Sequence, residues 1–165
     1  MGVRIWPARS AADLSDAARL FEAYASGLGI DLSFQGFAAE LASLPGKYAP
    51  PTGELLIARD LRGKALGCVA LRPMAPDGCC EMKRLYVSPR GRGLGLGRAL
   101  VEAIVREAVR IGYREMRLDT LPTMVEAVAI YRKMGFVPIP PYYHNPVAGV
   151  VFLARPLADG SLPAK

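Results

Sequence analysis

The chain has 165 residues, 52% of them hydrophobic and 22% charged, with a formal net charge of +6. That is enough apolar material for the core of a single domain and too much for a disordered chain. One histidine and three cysteines without C-x-x-C spacing argue against a histidine-based metal site, a Ser-His-Asp triad and a disulfide framework; with no apolar run of about 18 residues and no secretion signal, a cytoplasmic protein is expected, with no membrane partner and no metal.

The opening segment "VRIWPA" (3–8) reads as a strand closed by Pro7. Residues 11–29 place Leu14, Ala17, Ala18, Phe21, Tyr24 and Leu28 on one face, which is helical spacing, and Gly29 is the stop. "FQGFAAELASL" (34–44) is a second, short helix ending before Pro45, and the paired prolines of "KYAPPTG" make a loop. "ELLIARD" (54–60) and "ALGCVALRP" (65–73) read as a hairpin of antiparallel strands, and "CCEMKRLYV" (79–87) follows as a third strand. A helix runs from the glycine-rich segment after it to about Gly112, with Glu102–Arg106 as an i,i+4 pair. "EMRLDT" (115–120) is a strand, and 123–136 a helix with a capping box at Thr123 and Glu126 and Gly135 at its end. Residues 136–139 and 149–154 give two last strands around "PPYYHNP" (140–146). Strands and helices in this mixed order predict an α+β fold in one domain, 1–157, with 158–165 as a flexible tail.

The segment "VSPRGRGLGLGRALVEAIV" (87–105) carries the chemistry. The first turn of a helix has unpartnered N–H groups and the positive end of the macrodipole, so it suits an anion. Glycines let a phosphate approach the main chain, and here Gly93, Gly95 and Gly97 lie between Arg92 and Arg98. The nucleotide loop G-x-x-x-x-G-K-[ST] is absent, and the dinucleotide fingerprint G-x-G-x-x-G fails from either starting glycine. Arg92, Gly95 and Gly97 do fit R-x-x-G-x-G, which reads as a seat for a diphosphate; an unliganded surface turn is the plainer alternative.

"MKRLYVSPRGRGLGLGRALVEAIV" and, further on, "AVAIYRKMGF" (127–136, A-x-x-x-Y-x-K-x-G-F) resemble the two motifs of the GNAT N-acetyltransferases. The resemblance implies a mixed, mostly antiparallel sheet flanked by helices, with splayed fourth and fifth strands. It implies acetyl-CoA in that wedge, with its pyrophosphate on the amides of Arg92, Gly93, Leu94, Gly95, Leu96, Gly97 and Arg98. Its pantetheine arm would run along Leu85, Tyr86 and Val87 and past Ala127. Tyr131 matches the family's tyrosine that protonates the thiolate, and Glu81 occupies a strand position where many members carry a base. Many relatives have an asparagine seven residues before the tyrosine; here Met124 stands there, so its contact is either absent or made by Thr120 or Thr123. The loop histidine, His144, is a lesser candidate for substrate contact or base, while Tyr24 and Phe34 are expected to pack the first two helices.

The implied activity is transfer of an acetyl group to an amine, small-molecule or peptide, by direct attack in a ternary complex. A non-catalytic acyl-CoA sensor is the alternative. Nucleic acid is not expected as a partner, since no run of like charge or reader motif occurs, and the C-terminal strands leave room for a homodimer.

Overall fold

In the computed structural model, residues 2–157 are described; the expected tail at 158–165 lies outside them. The elements in chain order are β1 (Val3–Pro7), α1 (Ala11–Leu28), α2 (Phe37–Ala42), β2 (Glu54–Asp60), β3 (Ala65–Met74), β4 (Cys79–Val87), α3 (Leu96–Ile111), β5 (Glu115–Thr120), α4 (Val125–Lys133), β6 (Val137–Pro138) and β7 (Val151–Pro156). The strands form one sheet in the order β1-β2-β3-β4-β5-β7-β6. Every neighbouring pair is antiparallel except β4–β5, which is parallel with α3 as its crossover.

The strands bury both faces, and their alternation sorts the side chains. Along β2, Leu56 and Ala58 join the core beneath α3, with Val69, Leu71, Met82, Leu100, Ile104, Met116 and Leu118. Leu55 and Ile57 point the other way, into the core beneath α1, with Ala17, Phe21, Tyr48, Cys68 and Ala70. Burial on both faces is why β2 and β3 read as continuous apolar runs. At the start of α1 the Ser10 hydroxyl accepts from the Asp13 N–H at 3.0 Å, and the Asp13 carboxylate accepts from the Ser10 N–H at 3.3 Å.

Three local expectations are corrected. The capping box at Thr123 does not form: a turn closed by the Met124 N–H on the Leu121 carbonyl makes Met124 the N-cap and leaves Thr123 exposed inside the turn. Glu102 pairs with Arg98, one turn back, instead of Arg106. The strand expected at 136–139 shrinks to β6, because Phe136 turns into the core, where it is 2% exposed.

Candidate active site

The parallel ladder between β4 and β5 is short. It pairs Cys79 with Glu115, Cys80 with Met116 and Glu81 with Arg117, and stops. From Met82 to Val87, β4 stays paired to β3 on its other side while its β5 edge has no strand partner. The two strands therefore part into a wedge. A cleft of about 620 Å³, counted out to open solvent, occupies it, and its walls carry Lys83, Arg84 and Leu85 of β4, Asp119 and Thr120 of β5, and Tyr131 of α4.

A bulge shapes the β4 wall. The register against β3 slips between Cys68 and Ala70, and Arg84 has φ 61°, the one positive φ at a non-glycine among the described residues. The extra residue turns two consecutive side chains to the same face. The Lys83 ammonium donates to Gln35 Oε1 at 3.1 Å, and Arg84 Nη1 donates to the same oxygen at 2.9 Å. Arg84 also grips Glu40 with both ends of its fork, at 2.9 and 3.0 Å, under the rings of Tyr24 and Phe37. Beyond the bulge Leu85 and Val87 face α3 and Tyr86 faces α1.

The glycine loop delivers an open helix end. Gly95 is the N-cap of α3 with φ 70°, and no side chain caps it. Gly93 has φ 79°; a Cβ at either position would meet nothing within 4 Å, so these glycines serve conformation, not space. At Gly97 the limit is packing: a Cβ would lie 3.1 Å from Ile130 Cδ1 of α4. Leu96 is buried beneath the turn and Leu94 is exposed on it. The flanking arginines are partly engaged. Arg92 Nε donates to the Val87 carbonyl at 3.3 Å, and Arg98 pairs with Glu102 at 3.0 Å. Both stay beside the helix end.

Tyr131 is 6% exposed, edge-on to Phe136, with ring centroids 5.9 Å apart. Its hydroxyl makes no hydrogen bond among the described residues, and burial above all, then the charges of Tyr24 and Asp119, pushes its pKa up. It keeps its proton at neutral pH. Ala127, one turn earlier on α4, packs against the same core. Met124 lines the cleft with Thr120, while Thr123 is exposed.

Other candidates fall elsewhere. Glu81 is buried, and its Oε1 accepts from Arg72 at 2.9 Å while its Oε2 accepts from the Tyr142 hydroxyl at 2.6 Å; it does not line the cleft. His144 is exposed and does not line the cleft, but its neighbour Asn145 faces it. Tyr24 and Phe34, expected to pack the first two helices, line the cleft instead; Phe34 is 38% exposed and belongs to neither core. The sequence reading missed Asp119. Its Oδ2 accepts from the Tyr143 hydroxyl and from Asn145 Nδ2, and its Oδ1 has no partner among the described residues. Loop 140–147 thus ties both walls, β4 through Tyr142 and Glu81 and β5 through Tyr143, Asn145 and Asp119. Alternation along "RLDT" would have put Asp119 on the face of Glu81; nothing in the sequence revealed that the loop would meet it there.

A sequence profile described as the acetyltransferase (GNAT) family matches residues 19–136, well over half of the chain. The chain belongs to the GNAT acetyltransferase family. An uncharacterized N-acetyltransferase of Schizosaccharomyces pombe is 50% identical over 141 residues, covering 86% of each chain. A GNAT-family acetyltransferase of Staphylococcus aureus shares the fold at a TM-score of 0.78, with 16% identity over 94% of this chain and 99% of its own. A GNAT superfamily phosphinothricin acetyltransferase of Sinorhizobium meliloti, solved in complex with AcCoA, shares it at 0.71, with 21% identity over 100% and 95%. The GNAT sheet with its parting parallel pair is the architecture the sequence motifs led one to expect. No helix among the described residues is long and apolar enough to cross a membrane, and no group of histidine, cysteine, aspartate or glutamate side chains there could hold a metal ion.

Proposed function

We propose that this GNAT protein transfers the acetyl group of acetyl-CoA to an amine within a ternary complex. The single observation that carries the reading is the wedge: an unpaired β4 edge and a protonated tyrosine share one cleft, and the uncapped α3 N-terminus packs on Val87 at the end of that same edge. The residues present fit the coenzyme. The amides from Arg92 to Arg98, at the positive end of α3, suit its pyrophosphate, and the free edge at Leu85, Tyr86 and Val87 suits an amide-bearing arm laid down as an added strand. Ala127 lies one turn before Tyr131 on α4, packed against the core beneath α3.

The coenzyme supplies an acetyl group activated as a thioester. This chain must then do three things. It must receive an amine whose nitrogen has a free lone pair, and Asp119 Oδ1, unpartnered on the β5 wall, is the acceptor for that nitrogen's proton. It must offer donors to negative charge on the carbonyl oxygen, and the unpaired main-chain edge of β4 has them. It must hand a proton to the departing sulfur, and the Tyr131 hydroxyl holds one. An N–C bond forms, the C–S bond breaks, the amine loses a proton and the thiolate gains one. Glu81, proposed from the sequence as the base, is better placed to fix Tyr142 and through it the loop that aligns Asp119.

The test is thiol release from acetyl-CoA over a panel of amines. Tyr131→Phe is expected to lower kcat by about a hundredfold while the acetyl-CoA Kd stays within about twofold. Full activity in that variant removes Tyr131 from the mechanism.

A further inference from the structure

Consider the charges on the α1 side of the wedge. Arg72 pairs with Glu81, and Arg84 with Glu40. Lys83 is left over. It is 6% exposed, and no carboxylate comes within ion-pair distance among the described residues. Its one hydrogen bond, to Gln35, leaves two of its three donors without an acceptor there. An ammonium so deeply buried without a counterion is destabilising until an anion reaches it. Gln35 does not need it, since Arg84 bonds the same oxygen.

The register shows where the missing anion went. The parallel ladder pairs Glu81 with Arg117, and two residues further along both strands it would bring Lys83 opposite Asp119. The strands have parted by then. One opposite-charge pair stands open across the cleft, with Lys83 on one wall and Asp119, itself bonded only by the neutral Tyr143 and Asn145, on the other. A second cleft of about 640 Å³ adjoins it, sharing Phe34, Lys83 and Arg84 and walled further out by Arg72 and Tyr143.

We infer that the acceptor is an amino acid, whose carboxylate binds Lys83 and whose amino group faces Asp119, so that one molecule closes the ion pair that the splayed strands leave open. Resting on the acetyltransfer reading, this deepens it. The amino group then points toward Tyr131, and the second cleft receives the side chain.

Products test the site without dependence on turnover. With CoA bound, N-acetyl amino acids are titrated by calorimetry alongside the matching N-acetyl amines that lack the carboxylate. At least one N-acetyl amino acid is expected to bind roughly tenfold or more tightly than its decarboxylated counterpart, as a charge-assisted contact would give. Lys83→Met should abolish that preference and leave the CoA Kd unchanged. Equal binding of the two series, binding by neither, or a preference that survives in Lys83→Met overturns the carboxylate subsite and leaves acetyltransfer standing. Failure of CoA itself to bind overturns both.

Discussion

In the acetyltransfer proposed above, the two halves of the wedge would meet their ligands by different means. The coenzyme half is main chain: a bare strand edge, left-handed glycines and an uncapped helix end. The acceptor half is side chain: Lys83 and Arg84 from β4, Gln35 and Glu40 from around α2, Asp119 from β5, and Tyr142, Tyr143 and Asn145 from the last loop. Main-chain recognition needs particular residues only where the chain must bend, so it leaves a compact signature. Side-chain recognition is free to change residue by residue while the sheet stays the same.

That contrast predicts different failures. The largest effect is expected in the acceptor half. Glu40→Ala leaves Arg84 buried and unpaired, with its side chain 2% exposed, and should cost about 3 kcal/mol of stability in urea denaturation. A loss below about 1 kcal/mol would show that Gln35 and the flanking rings suffice to hold Arg84.

In the coenzyme half the fold should survive and binding should fail. Gly95→Val places a β-branched residue at φ 70° and closes the open turn. Its acetyl-CoA Kd should rise about a hundredfold by calorimetry, the equivalent of losing one or two charge-assisted hydrogen bonds. An unchanged Kd would mean that the coenzyme does not use this helix end.

The smallest effect runs opposite to the usual direction. Lys83→Met should raise Tm by a few degrees at neutral pH, because it removes a charge with no counterion. Burial is the main cause that pulls the Lys83 pKa below 10.5, with Arg84 and Arg72 acting the same way and Glu81 and Asp119 opposing them. The unfolded chain therefore binds more protons between the folded value and 10.5, so wild-type stability from this group rises with pH across that window. The Tm gap between variant and wild type should narrow as pH increases; a constant gap would rule out titration of Lys83 as its source.

Much of this was legible in the sequence, and for physical reasons. The apolar stripes of α1 and α3 and the apolar runs of β2 and β3 report burial directly. Gly93 and Gly95 report backbone torsion, so the helix end they open could be read from spacing alone. Glu81 was legible as a strand carboxylate; that Arg72 and Tyr142 would claim both its oxygens was not, because those partners come from other strands and loops. Lys83 and Arg84 were quoted as part of a motif without a role. Two consecutive cations in a strand bounded by buried Met82 break the alternation that one inner face demands, and that break was the available sign of the bulge. Asp119 needed the fold itself, since its meaning comes from the departure of β4 from β5.

The loop at 140–147 has one more consequence. Past Glu81 and Arg117 no ladder bond holds β4 at a set distance from β5, yet adjacent tyrosines on that loop clasp one strand each. The gauge of the gap is thus a side-chain dimension, two phenol rings braced on Phe152, at centroid distances of 5.1 and 5.5 Å. A lineage could widen or narrow the aperture by editing this brace alone, with the sheet's hydrogen bonding and the helix end proposed for the coenzyme both left as they are.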